Sequence, residues 1–189
     1  MIAVTGGIAS GKSTVLKILR TLGLRTASAD EAARAIFDEP ETQAELARLL
    51  QVSPPISRDL LRARLSEEAA VRRSVSKIFH ARIRRSLMEG GFDAVEIPLL
   101  LETCLWHDFD AVWFVQVDRS VLESRLALRL GSLEAAQAQL SGQAPPAAKS
   151  ALADVIISNS GAPEDLGRVI EDRLKEHRLA ERTREIGPS

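Results

Sequence analysis

A chain of 189 residues with 45% hydrophobic and 27% charged side chains has the composition of an ordinary globular protein, long enough for one full core and too short to expect a second. Its formal net charge of -1 gives no support for a general binder of nucleic acid or of acidic membrane surfaces. Its single cysteine, Cys104, excludes an internal disulfide and a cysteine-built zinc site, and no apolar run nears the length of a membrane span.

Residues 2–5 read as a strand that is apolar on both faces, the pattern of a central parallel strand. The stretch Gly6-Gly7-Ile8-Ala9-Ser10-Gly11-Lys12-Ser13-Thr14 follows and fits G-x-x-x-x-G-K-[ST]. Behind it Val15-Leu16-Lys17-Ile18-Leu19 is a helix pattern, so the strand, Gly-rich loop and helix that the motif requires are all present. A loop reached so soon leaves no room for a secretion signal, and a cytoplasmic location is expected. Glycines at 6, 7 and 11 allow the backbone N–H groups to approach phosphate oxygens where a Cβ would collide. The start of the helix adds partial positive charge. Lys12 is expected to meet the β- and γ-phosphates, Ser13 to offer its hydroxyl to Mg²⁺, and Thr14 to reach another phosphate oxygen.

The first helix is expected to end near Gly23, and a short strand over Leu24–Ala27 delivers Ser28-Ala29-Asp30 to the carboxyl edge of a sheet, where ligands bind in open α/β folds. Asp30 has two readings, an N-cap for the helix from Glu31 or a carboxylate facing the γ-phosphate and able to accept a hydroxyl proton. Residues 31–90 read as helical throughout, broken at Pro40 and at Val52-Ser53-Pro54-Pro55, with further helices from Ser57 and around Val75, Ile78, Phe79, Ile83 and Leu87. So long an insertion between strands is expected to be a substrate-binding subdomain. Most of its arginines read as solvated helix faces, with a minority able to hold an anionic substrate. His80 beside the apolar stripe reads alone as a packed or surface histidine.

A third strand is expected over 92–97, running into Pro98-Leu99-Leu100-Leu101-Glu102, where proline stops the ladder. Glu96 and Glu102 are open between assisting a metal or substrate and serving as charges at element ends. Ala111–Val117 is the most hydrophobic strand, followed by Ser120-Val121-Leu122-Glu123, which reads as a capping box. Arg125 and Arg129 share a helix face, either as a phosphate clamp or as a solvated pair. Residues 131–150, with Pro145-Pro146, have the composition of a mobile segment. Ala153–Ser158 reads as the last strand and Pro163 as the first turn of a closing helix, with a frayed tail after about Leu179.

Taken together, these segments resemble the dephospho-CoA kinase family. The likeness spans nearly the whole chain: Thr5–Thr14, Ser28-Ala29-Asp30, Ser57-Arg58, His80-Ala81-Arg82-Ile83-Arg84, Ile97–Glu102, Arg125 with Arg129, Gln143, and Ala153-Asp154-Val155-Ile156-Ile157-Ser158-Asn159-Ser160-Gly161. The phosphate loop alone fits many kinases, and the Pro-Leu-Leu-x-Glu and Ala-Asp-x-x-Ile-x-Asn-x-Gly segments narrow it. The resemblance implies a P-loop α/β/α sandwich with a five-stranded parallel sheet, made of residues 1–30, 91–119 and 151–180. It further implies a helical coenzyme A subdomain at 31–90 and a lid at 120–150, and transfer of phosphate from MgATP to the ribose 3′-hydroxyl of dephospho-CoA. By that resemblance ATP is held by Gly7, Ile8, Ala9, Ser10, Gly11, Lys12, Ser13, Thr14, Arg125, Arg129 and Asn159. The substrate is met by Asp30, Arg58, His80, Pro98, Leu99, Leu100 and Glu102. Lys12, Asp30, Arg125 and Arg129 are the expected catalytic groups, with Ser13 at the metal. Ser28, Ala81, Leu130 and Gln139 depart from the family pattern, and lid changes of this kind point to a slower or less tightly closed enzyme. The remaining alternatives are a kinase of another small alcohol or nucleoside monophosphate and a nucleotide-binding homologue with reduced turnover. A GTP switch is disfavoured, because Asn-Lys-x-Asp occurs nowhere.

Overall fold

In the computed structural model, β1 (Ile2–Gly6) is buried at every position, as its unbroken apolar character demands. Residues 1–98, 100, 105–141 and 150–186 are described. The chain divides into two compact units, one of Met1–Thr26 with Asp93–Ser189, the other of Ala27–Phe92.

The first unit is built on β1. After the loop, α1 (Lys12–Thr21) ends at Leu22, and Gly23 at φ 89 turns the chain back so that the Leu24 N–H bonds the Leu19 carbonyl at 3.1 Å. The chain then enters β2 (Thr26–Ser28), an edge strand of a five-stranded sheet ordered β2-β3-β1-β4-β5, in which β3 is Ala94–Glu96, β4 is Ala111–Gln116 and β5 is Val155–Ser158. β1 pairs in parallel with β3 (Ala3 opposite Val95) and with β4 (Val4 opposite Trp113), and β4 pairs in parallel with β5 (Val115 opposite Ile157). Strand order therefore reverses at β1, and the phosphate loop leaves its carboxyl end at that switch point. Asp93 holds the rim on the opposite side, taking the Arg25 N–H at 2.6 Å.

The second unit takes in Ala27 and Ser28 at the end of β2 and then α2 (Ala29–Asp38), α3 (Pro40–Leu50), α4 (Arg58–Glu67) and α5 (Ala69–Glu89). It has its own apolar cluster of Phe37, Leu46, Ala47, Leu50, Ile56, Leu61 and Val75, which corrects the expectation of one core. Short amphipathic helices can only be stable if their stripes meet, and these meet one another. Ser57 caps α4 by accepting the Leu60 N–H at 3.1 Å. The N-cap reading of Asp30 is corrected: α2 begins at Ala29 with Ser28 as its N-cap, so Asp30 lies inside the first turn.

Back in the first unit, α6 (Arg119–Leu130) starts at an Asp118 N-cap, which corrects the capping box expected at Ser120. The Leu122 N–H already bonds the Asp118 carbonyl at 3.0 Å, and Glu123 pairs with Arg119 at 2.9 Å instead of reaching back to a cap. Gly131 at φ 76 ends α6, and α7 (Leu133–Ser141) occupies part of the segment expected to be mobile. Its Ala135 and Ala138 are strong helix formers, and Ala136 is fully buried. After β5, α8 (Pro163–Ile186) runs well past Leu179, which corrects the frayed tail through residue 186. Ion pairs within it, such as Lys175 to Glu171 at 3.0 Å, suit a charged exposed helix. Leu166, Ile170 and Leu174 of α8 and Val15, Leu16 and Leu19 of α1 share one core with Val4, Trp113, Val115 and Ile157. Each such side chain fully buried contributes about 1.5–3 kcal/mol, and this core clamps the helix that follows the loop onto the strand that precedes it.

Candidate active site

The loop is held tight at two glycines. A Cβ on Gly6 would lie 2.7 Å from the Val115 carbonyl oxygen and 2.8 Å from Ser10 Oγ, so β1 could not pass β4 with any larger residue there. Gly11 has φ +90, and a Cβ on it would stand 2.3 Å from Asn159 Nδ2. Ala9 also takes a left-handed conformation, φ 55. These turns bring the chain straight into α1, where the Thr14 and Val15 N–H groups bond the Gly11 carbonyl at 3.0 Å.

α1 has no side-chain cap and no acidic residue in its first turn. The helix end therefore keeps its partial positive charge for an incoming anion. Lys12 is buried, and its ammonium donates to the Gly7 carbonyl at 2.9 Å and the Gly6 carbonyl at 3.2 Å, which folds it back along the loop. Ser13 and Thr14 follow on the exposed side, Gly7, Ile8, Ala9 and Gly11 are half-buried, and Ser10 is buried, its Oγ enclosed without a hydrogen-bond partner among the described residues. A loop that tolerates no Cβ at Gly6 or Gly11, a buried ammonium and a bare helix terminus fit a polyphosphate.

The segment around β5 closes the far side of this cradle. Asp154 takes the Val112 N–H at 2.7 Å and so pins the start of β5 to β4, while Ser160 Oγ takes the Asp118 N–H at 2.8 Å at the other end. Between them Asn159 donates from Nδ2 to the Ser10 carbonyl at 2.7 Å, a buried bond across 149 residues of sequence. Arg125 of α6 donates to the Asn159 carbonyl at 3.0 Å. Gly7 through Thr14, Asn159 and Arg125 are thus brought together. Arg129, one turn along α6, is exposed.

Of the segment after β3, Leu100 is fully buried and Pro98 half-buried, while Leu99 and Glu102 lie outside the described residues, as do Gln143 and Pro145-Pro146. Glu96 is the last residue of β3. In the second unit, Asp30 is exposed in the first turn of α2 and His80 is exposed on α5. Arg58 opens α4, bonds Asp38 at 2.8 Å and lies 5.3 Å from the centre of the Phe37 ring. No cluster of three or more His, Cys, Asp or Glu able to hold a metal ion occurs among the described residues. No helix among them is long and apolar enough to cross a membrane.

Sequence reading missed how Asn159 is used. Its reach to Ser10 has no local signal, since spacing along the chain carries nothing about contacts between distant strand ends.

Comparison with known proteins agrees with this geometry. The model of a family described as dephospho-CoA kinase matches residues 1–165. A curated dephospho-CoA kinase of Shouchella clausii is 34% identical over 189 residues, covering 92% of this chain and 96% of its own. Among solved structures, TT1252 from Thermus thermophilus superposes with a TM-score of 0.77 at 29% identity, covering 93% of this chain and 96% of its own. The dephospho-CoA kinase from Campylobacter jejuni superposes with a TM-score of 0.72 at 27% identity, over 93% of this chain and 95% of that one. With a P-loop α/β fold, a phosphate cradle and this breadth of similarity, the chain belongs to the dephospho-CoA kinase family and is a phosphotransferase.

Proposed function

We propose that the chain transfers the γ-phosphoryl group of ATP to the ribose 3′-hydroxyl of dephospho-CoA, giving coenzyme A and ADP. The observation that carries this reading is the cradle formed by Gly6, Gly11, Lys12 and the N-terminus of α1, in a chain of that family. In the transfer, the 3′-oxygen forms a bond to the γ-phosphorus as the bond from that phosphorus to the β,γ-bridging oxygen breaks, and the hydroxyl proton passes to the Asp30 carboxylate. Lys12 exchanges its loop carbonyls for phosphate oxygens, and the loop amides bear the rest of the charge. Arg125 and Arg129 meet the charge that grows on the transferring group. A Mg²⁺ ion fits the exposed Ser13 hydroxyl at the first turn of α1, and when bound it supplies charge neutralisation to the triphosphate.

Arg58, His80, Pro98, Leu99, Leu100 and Glu102 are assigned to the acceptor, with residues 31–90 as the coenzyme A subdomain and 120–150 as a lid over ATP. The location is cytoplasmic in this reading, in keeping with a lone cysteine. ADP release by the purified chain, coupled to an optical assay, is expected to depend on dephospho-CoA with saturation. Release that is indifferent to dephospho-CoA but stimulated by another small alcohol or by a nucleoside monophosphate would replace the acceptor and leave the phosphate cradle in place.

A further inference from the structure

Asn159 is only 7% exposed, and one N–H of its side-chain amide donates to the Ser10 carbonyl at 2.7 Å. The same nitrogen occupies the space a Gly11 Cβ would take, 2.3 Å from that position, so the side chain fills the underside of the loop between Ser10 and Gly11. In a trans peptide the C=O and the following N–H point in opposite directions. Drawing the Ser10 carbonyl inward to Asn159 therefore turns the Gly11 N–H outward, to the open side of the cradle.

We propose that Asn159 is a positioning residue of the phosphate loop: by taking the Ser10 carbonyl it sets the Ser10–Gly11 peptide plane so that the Gly11 N–H meets the triphosphate. Its own backbone supports the arrangement. The Asn159 N–H is bonded to the Gln116 carbonyl of β4 at 2.9 Å and its carbonyl receives Arg125 at 3.0 Å, so the strut stands on the sheet and shares its footing with an α6 arginine. This assignment differs from a contact between the Asn159 amide and the nucleotide's base or ribose, and it rests on the loop holding a polyphosphate.

The two roles separate on a ligand that has phosphates and no nucleoside. Binding of ATP and of inorganic tripolyphosphate, each with magnesium, is measured by calorimetry on the full chain and on Asn159→Ala, at a temperature where circular dichroism shows both folded. Loss of the strut is expected to weaken both ligands by the same factor, about tenfold, while dephospho-CoA binding stays within about twofold. Asn159→Leu fills the same space without an N–H and is expected to repeat the equal loss, should the alanine variant not fold. Weakening of ATP alone would make Asn159 a nucleoside contact and overturn the proposal, as would unchanged binding of both ligands or failure of both variants to fold. Failure of the unsubstituted chain to bind tripolyphosphate would instead overturn the reading of the loop itself.

Discussion

Lys12 and Asp30 carry different parts of the proposed reaction, and substitutions at each should fail differently. Lys12 is buried against the loop carbonyls, so Lys12→Ala removes the charge nearest the phosphates. Turnover is expected to fall about a hundredfold or more, with ATP binding weakened as well. Asp30 is exposed and is not the cap of α2, so one of the two roles its position suggested is excluded. Asp30→Asn should lower kcat about a hundredfold, the scale of a lost general base, while ATP affinity measured by calorimetry stays within about threefold. A full-rate asparagine variant would leave Asp30 only its place in the first turn, where an acid complements the helix dipole. Lys12 was legible because its motif is local. The orientation of Ser10 was not, because the group that sets it lies at the end of a strand far along the chain.

Among the elements, those whose signal is a period or a terminal residue were readable, and those set by distant partners were not. Ser57 illustrates the first kind: a serine before a Leu-rich helix becomes the N-cap of α4. Ser57→Ala is expected to destabilise the second unit by about 1 kcal/mol, read as a lowered urea midpoint with an unchanged slope. The start of α6 illustrates the second kind. Ser120 and Glu123 have capping-box spacing, yet Asp118 opens the helix because the Ser160 hydroxyl holds its N–H. α7 was hidden for a related reason, since small residues read as a mobile segment until Ala136 is seen buried. The end of α8 was misread on charge alone: its backbone stays helical to Ile186, continuing a helix whose earlier turns carry pairs such as Arg173 with Glu176 at 2.7 Å.

At the level of the whole molecule, the two units have apolar clusters with no member in common, Leu19, Trp113 and Ile170 in one and Leu46, Leu50 and Val75 in the other. Both tryptophans, Trp106 and Trp113, belong to the first unit, so intrinsic fluorescence reports that unit alone. Far-ultraviolet circular dichroism reports both, and apart from Ala27 and Ser28 of β2 the regular structure of the second unit is helical. Leu46 is fully buried, and Leu46→Ala removes side-chain volume from the second cluster at a cost of about 2–5 kcal/mol. In urea, this variant is expected to lose part of its helical signal before its tryptophan emission shifts, whereas the unsubstituted chain shows a smaller gap between the two curves. Magnesium tripolyphosphate at about a hundred times its dissociation constant adds about 2.7 kcal/mol to whatever binds it. Because the cradle is built in the first unit, the added ligand should delay the fluorescence transition of Leu46→Ala and widen the gap. Coincident curves with and without ligand would mean that the two clusters unfold as one cooperative body, and the helical insertion would then depend on the nucleotide-binding unit for its stability.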